Sequence, residues 1–554
     1  MPDENQAMTW PVADEAPFIG SIFPESSAQP GRITTAAGDL RYLNLRGDIE
    51  ACARQLGQRT AEASRRGALP FYAQFVSAAL AKTPARFLRQ TLSRTTRQLV
   101  TRRMARRLPT SYRRALAELA RELGMEEREI LDAHLLPETL ASVELAWSRA
   151  RAKYPLRVAI GPTQCAQIVR MDKDGGVLHG RNLDFAGGNL WERYTTATIY
   201  HPDDGLSYVA IASAGFLGAG ALAMNAAGLT IAAKPLAGIA LNLDGVPFGV
   251  ATEAAMRGAT DIEAAIAILR DHPPVGGWRY TLTEGDTGRA MRFEISPHHQ
   301  QRQLLSLEKH APSSREQIAA WLAYGDKRDE APPKKLSLLD PAAAGVTTIG
   351  AVIFEPAARR VWIAAGSTPT PRGWFVPITL TDRSDGGPDL ELAPFCVDPD
   401  WPASAHGKAF ELYRQACWRH LEGESAEHTL IKIEHALAHM PEDPDLQILT
   451  GLLAIKSNRE ERAHGALRRA MELRVEDGNR RAEVVLYLAW ALDMKGQRLA
   501  AKSLYKQLLA DRNTAQELRS LARIPMAPLR QGKCARDRDR LLPRERAPLM
   551  TSRA

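Results

Sequence analysis

One stretch of this 554-residue chain brings a thiol, a guanidinium and a carboxylate into a spacing that can do chemistry. It runs Cys165-Ala-Gln-Ile-Val-Arg170, then the turn signal Asp174-Gly175-Gly176, then His179-Gly180-Arg181-Asn182-Leu183-Asp184-Phe185. Taken singly, a strand-borne cysteine reads as a small buried hydrophobe. An arginine and an aspartate close by read as a surface pair. The spacing changes this reading, because a tight hairpin after Cys165 returns the chain antiparallel and brings Arg181 and Asp184 back beside the sulfur. A guanidinium there favours the thiolate over a thiol whose free pKa is about 8.5. An ionised aspartate can orient and hold an amine. The group so formed can favour a reactive thiolate.

The elements that must position these groups lie in the middle third. Cys165 to Met171 and Val177 to Asn182 read as one hairpin. Tyr194 to Tyr200 and Ser207 to Ser213 read as a second, Tyr280 to Thr283 and Ala290 to Ile295 as a third, and Thr347 to Phe354 and Arg360 to Ala365 as a fourth. A helix is expected from about Val250 to Asp271, with an apolar stripe at Ala254, Ala255, Ile262, Ala265, Ile266 and Leu269. Ser207 to Ala233 holds no charged residue, yet Gly215, Gly218, Gly220 and Gly228 break it. It reads as buried strands and turns rather than a membrane span. Strands with interposed helices predict layered α+β architecture.

On either side the period is helical. From about Gly38 to Pro155 apolar residues recur at three and four, as at Leu116, Leu119 and Leu123. No acid occurs between Ala63 and Ala117, whereas Arg86, Arg89, Arg94, Arg97, Arg102, Arg103, Arg106 and Arg107 crowd one part of that run. The plain reading is a solvated or acid-paired helical face; the sharper one is a weak contact with an anionic membrane. No aromatic interleaving supports nucleic-acid binding. From Ser404 to Asp511 a helical repeat appears. Ala470 repeats Ala436 after 34 positions, and Leu488-Ala489-Trp490 precedes Gly496 at a helix-turn-helix junction. These units resemble tetratricopeptide repeats, which imply either a concave surface for a protein partner or a structural appendage of the catalytic domain.

Lys+Arg 72 against Asp+Glu 64 gives a net charge of +8, and 45% hydrophobic with 25% charged residues excludes global disorder. The length suggests about three or four domains. Cys52, Cys165, Cys396, Cys417 and Cys534 are too scattered for a disulfide framework or a zinc cluster. No signal peptide is visible at the first residues, so a reducing, cytoplasmic location is expected. His298-His299 lack a carboxylate at ligand spacing, so neither a metal nor a cofactor is expected. His179 reads as a hairpin side chain rather than a base, and Glu294 as a structural residue closing the third hairpin.

At Cys165, Arg181 and Asp184 the chain resembles the N-terminal-nucleophile (Ntn) hydrolases of the acyl-coenzyme A:6-aminopenicillanic-acid acyltransferase group. It is similar also to their relatives, the choloylglycine hydrolases and acid ceramidases. In that superfamily an arginine follows the cysteine after sixteen positions and an aspartate after nineteen, in a motif like Arg181-Asn182-Leu183-Asp184. Met224-Asn225-Ala226-Ala227-Gly228-Leu229, Gly245-Val246-Pro247, Leu40 to Gly47 and Leu119 to Gly124 are similar to further family segments, so the resemblance covers roughly Gly38 to Pro377.

The resemblance implies a four-layer αββα sandwich, with residues 1–33 a flexible arm, 34–164 a helical pro-region and 165–397 the catalytic domain. Residues 402–515 would be the repeats and 526–554 a basic disordered tail. It implies autocatalytic cleavage between Gln164 and Cys165, after which the new α-amino group serves as general base. Asp184 would hold that amine and Arg181 would support the thiolate and bind substrate, a small amide or acyl thioester.

Three residues depart from the family pattern. Ala166 stands where threonine is common, and Asn225-Ala226 replaces an Asn-Glu pair. No asparagine occurs between Asn242 and Asn458, where the family places an oxyanion-stabilising one near Trp278-Arg279-Tyr280. Asn225, Lys234, Asn242 and Arg279 are the candidates to bind substrate or the oxyanion in its place. The alternative is a catalytically inactive Ntn-like scaffold that acts through its repeats.

Overall fold

The computed structural model describes residues 21–23, 30–35, 38–81, 101–140, 165–185, 190–236, 241–307, 313–325, 338, 344–380, 387–389, 392–421, 424–473, 478–511 and 513–523. Expectations for Arg86, Arg89, Arg94, Arg97, Gln164 and the 526–554 tail fall outside them. The fold is mixed α+β with two sheets and a helical C-terminal region.

The chain opens with strands β1 (Ser21–Phe23), β2 (Gly31–Thr35) and β3 (Gly38–Arg46). This corrects two expectations, a loose arm to residue 33 and helix from Gly38. The reason is a period of two. Leu40 and Tyr42 point into the space between the sheets, and Leu43 and Leu45 point into the helical layer. A strand buried on both faces looks continuously apolar and is easily read as helix. Helices α1 (Ile49–Arg66), α2 (Ala68–Ala81), α3 (Thr110–Leu123) and α4 (Glu127–His134) follow, with a single helical turn at Arg102–Ala105 before α3. Asp48 caps α1 by accepting from the Ala51 amide at 2.7 Å.

The hairpins form as expected. They are β4 (Gln167–Met171) with β5 (Val177–Asp184), and β6 (Thr195–His201) with β7 (Tyr208–Ser213). The charge-free run supplies β7, β8 (Leu222–Asn225) and the start of β9 (Leu229–Leu236). Among the described residues no helix is long and apolar enough to cross a membrane. The single helix expected over Val250–Asp271 is two, α5 (Phe248–Gly258) and α6 (Ile262–Asp271). Asp261 starts the second by accepting from the Ala264 amide at 2.8 Å. Then come β10 (Gly277–Glu284), β11 (Ala290–Ser296), β12 (His299–Leu304), α7 (Arg315–Tyr324), β13 (Thr348–Glu355), β14 (Arg360–Ala365) and β15 (Trp374–Thr379). The third and fourth hairpins are β10–β11 and β13–β14.

The larger sheet runs β1-β2-β3-β6-β7-β8-β9-β10-β11-β12, antiparallel except for the parallel β3–β6 pair. The smaller runs β15-β14-β13-β5-β4, extended beside β15 by Gly387–Pro388 and Phe395–Cys396. Helices α1 to α6 pack on the larger sheet around Leu56, Leu116, Leu119, Met256 and Ile266. Helix α7 packs on the smaller sheet through Ile318 and Leu322. Ile199, Val209 and Met224 meet Val352, Phe354 and Ile363 between the sheets.

The C-terminal helices are α8 (Ala405–Leu421), α9 (Ala426–His439), α10 (Pro444–Lys456), α11 (Glu460–Glu472), α12 (Gly478–Met494), α13 (Arg498–Ala510) and α14 (Gln516–Ala522). Short loops make successive helices antiparallel neighbours around one core, in which Ala436 and Ala470 are both fully buried. A Cβ at Gly451 would lie 2.4 Å from Leu467, so glycine lets α10 and α11 close up. Gly496, at φ 80°, makes the left-handed turn between α12 and α13.

Candidate active site

The β4–β5 hairpin sets the site. Gln167 lies opposite Arg181. The Asn182 amide donates to the Ala166 carbonyl at 2.9 Å, which extends the ladder beyond β4. Cys165 stands one residue further, and its sulfur lies 3.9 Å from the Asp184 carbonyl oxygen. The hairpin therefore does return Arg181 and Asp184 to the thiol.

Alternation along β5 sends its side chains two ways. His179 and Arg181 face the larger sheet, whereas Asn182 faces α7 and donates to the Leu322 carbonyl at 2.7 Å. His179 meets the Thr230 hydroxyl at 2.9 Å, and Thr230 meets Thr283 at 2.6 Å. Arg181 donates from one terminal nitrogen to the Ala233 carbonyl at 2.6 Å. Thr281 donates to the Gln167 side chain. This part of the space between the sheets is thus a polar seam, unlike the apolar packing beside it.

Arg181 is fully buried, and its Nε and second terminal nitrogen have no hydrogen-bond partner. Asp184 is buried, and its carboxylate accepts from Thr348 at 2.6 Å and from the Ala166 amide. Burial pushes the Asp184 acid up to about 6 even though Thr348, Arg181 and Lys234 pull it down. Cys165 is 5% exposed. Burial raises its pKa, and Asp184 adds to that, while Arg181 and Lys234 oppose it. The guanidinium does pull toward the thiolate, as expected, but desolvation outweighs it. His179 is pushed down to about 3 by burial and then by Arg181, so its imidazole is neutral.

Lys234 and Arg279 are directly opposed across β9 and β10. Lys234 is half-buried. Burial lowers its pKa, and it feels the charges of Cys165, Arg181, Arg279 and Asp184, so all five belong to one group. Arg279 is paired with Glu294 at 2.6 Å.

The two asparagine candidates stand elsewhere. Asn225 is fully buried, with its amide nitrogen donating to the Met256 and Ala259 carbonyls at 3.0 and 2.7 Å. Its oxygen accepts from the Leu229 amide at 3.1 Å. It clamps the β8–β9 turn to α5 and has no N–H left for an oxyanion. Asn242 closes a turn by accepting from the Asp244 amide at 3.1 Å, and no bond among the described residues links it to Cys165. Arg103 and Arg107 pair with that same Asp244, so these two arginines of the basic run have an acidic partner.

Sequence reasoning missed Thr348, Thr230 and Gln167. Thr348 occupies the β13 position opposite Asp184, a cross-strand relation that sequence spacing does not carry. Among the described residues no group of histidines, cysteines and carboxylates could hold a metal. Compared with known proteins, the chain matches no family model and no curated protein.

Proposed function

We propose that the protein is a cysteine Ntn amidohydrolase or acyltransferase, built as a four-layer αββα sandwich. The observation that supports this most is the meeting of Cys165, Arg181 and a buried, hydrogen-bonded Asp184 at the mouth of one hairpin. In this reading the thiol first attacks the carbonyl of Gln164, the C–N bond to Cys165 breaks as its amine takes the proton, and water hydrolyses the resulting thioester. That leaves Cys165 with a free α-amino group whose ordinary pKa is about 7.7–8.0. The amine takes the thiol proton and the sulfur attacks an amide or thioester carbonyl. An acyl-enzyme forms, and the departing amine or thiol takes the proton. Water or a second amine then releases the acyl group. Asp184, fixed by Thr348 and the Ala166 amide, holds the α-amine, while the unpartnered N–H groups of Arg181 support the developing thiolate.

With both side-chain N–H groups of Asn225 given to backbone carbonyls, and Asn242 joined to Cys165 by no bond among the described residues, Lys234 and Arg279 are the candidates to stabilise an oxyanion or bind substrate. Loss of one such donor costs about 100- to 1,000-fold in turnover, so a replacement matters. The C-terminal helix pairs are read as tetratricopeptide-like repeats that present a surface to a protein partner. The expected location is cytoplasmic.

Intact mass and a denaturing gel test the reading. Two fragments, one beginning at Cys165, are expected, and Cys165→Ala should stay whole and inactive. An uncut chain whose Cys165 resists thiol-directed probes would overturn it. That outcome favours the second reading, an inactive Ntn-like scaffold, to which the covered thiol is the observation that lends weight.

A further inference from the structure

We propose that Glu192 and the aromatic rings gathered around Tyr72 form a binding site for an alkylammonium ion. The site lies outside the Cys165–Arg181–Asp184 group, and it stands whether or not the chain is cut before Cys165. Its centre is Tyr72 on α2, which is buried. The ring centroids of Phe185, Phe71, Trp191, Phe216 and Phe75 lie 5.2, 5.4, 5.8, 5.9 and 6.4 Å from that of Tyr72. Glu192 follows Trp191 in the chain and is 2% exposed. Its charge acts on Tyr72, so the carboxylate lies beside this cluster.

Three buried oxygens here lack a partner. Neither carboxylate oxygen of Glu192 nor the Tyr72 hydroxyl has a hydrogen-bond partner among the described residues, and the two side chains do not bond each other. The cation that acts on Glu192 is Arg414 on α8, but its guanidinium is forked onto Glu411 by two bonds of 2.7 Å. His134, 5.3 Å from the Phe216 ring, is kept neutral by burial, which pushes its pKa down to about 4. A carboxylate held out of water without a counter-charge is costly. The rings cannot supply that charge, but their faces attract a cation brought against them. An alkylammonium meets both demands, since its N–H groups donate to the orphaned oxygens and its alkyl part packs on the rings. Water would supply donors without charge. The five rings around Tyr72 are each only partly buried, which leaves a way in from solvent.

Saturation-transfer NMR titrations of the full-length chain test this at about pH 8, where Glu192, pushed up to about 7 by burial, is ionised. The probes are tert-butylammonium and tert-butanol, its neutral counterpart of similar shape. The ammonium should bind about tenfold more tightly or better, the worth of one desolvated cation–ring contact. Glu192→Gln should remove the preference. Trp191→Leu should weaken binding of the ammonium and locates the site independently. Equal affinities, a preference that survives Glu192→Gln, or ammonium binding untouched by Trp191→Leu would each overturn the proposal. So would no ammonium binding at all, the result expected if a buried water serves these oxygens instead.

Discussion

Arg181 on β5 donates to the backbone carbonyl of Ala233 on β9, and so ties the smaller sheet to the larger at the level of the thiol. The guanidinium is fully buried and, among the described residues, makes no other hydrogen bond, leaving Nε and one terminal nitrogen unpartnered there. A cation kept out of water with unused donors is poor structural material. Apolar residues of similar size in such a place are often neutral or stabilising. The arrangement makes sense if the spare donors face a charge that develops at Cys165.

Arg181→Met is expected to fold but to lose about 1–3 kcal/mol, because the buried Asp184 stays behind without its nearby cation and the Ala233 carbonyl loses a donor. Its second effect should fall on the thiol. Arg181 lowers the Cys165 pKa against burial, so its loss should slow alkylation of Cys165 at pH 8. Urea titration and the pH profile of iodoacetamide labelling measure the two effects. A large stability loss with unchanged labelling would make Arg181 a structural tie alone.

If the chain is cut before Cys165, the N-terminal fragment should stay. Its β3 pairs with β6 from Arg41–Thr196 to Arg46–His201, within the larger sheet rather than at its edge. Its helices α1 to α4 supply Leu56, Leu116, Leu119 and Ile130 to the core that covers that sheet. Native size-exclusion should show both fragments in one peak, separating only in strong denaturant. A free N-terminal fragment in native buffer would contradict the strand assignment.

The hairpins were legible because each pairs an alternating or apolar run with a Gly/Asp turn, and local chemistry decides them. The Cys165–Arg181–Asp184 group was legible for the same reason, since a single hairpin brings it together. Strand β3 was not, because burial on both faces erases the period of two. The break between α5 and α6 turned on Asp261, whose capping role is only one of several that an aspartate inside an apolar stripe can take. Thr348 and Ala233 reach the site through pairings across more than fifty positions, set by sheet order rather than by any local pattern. Asn225 was misplaced because a Met-Asn-Ala-Ala-Gly-Leu segment reads alike whether its amide serves a substrate or the chain's own carbonyls.

Asn225 thus offers a contrast with the site residues. Asn225→Ala strands the Met256 and Ala259 carbonyls and the Leu229 amide in a fully buried place. A loss of about 3 kcal/mol or more is expected from denaturant unfolding, as three buried groups lose this partner. Cys165 labelling of the folded fraction should match the parent. Slower labelling without a stability loss would return Asn225 to the active site.

Glu192 gives a pH dependence of known sign. It is buried, neither carboxylate oxygen has a side-chain partner among the described residues, and burial pushes its acid up to about 7, with its own backbone amide and then Arg414 pulling the other way. Tyr72 is the other titratable group it affects. An unfolded glutamate titrates near 4.3. Between about pH 4 and 7 the native state therefore holds a proton that the unfolded state has lost, and stability falls as pH rises through that window. Below it Glu192 has no effect, and above it the full cost is present. Asp184 at about 6 and Glu138 at about 7 slope the same way, so the informative quantity is a difference between two chains. Glu192→Gln should match the parent near pH 4 and exceed it by about 2 kcal/mol at pH 8, a discount on the full shift because a buried amide also wants partners. Urea titrations of both chains at the two pH values decide it. A gain at pH 4 as large as at pH 8 would mean that packing, not ionisation, sets the effect of this side chain.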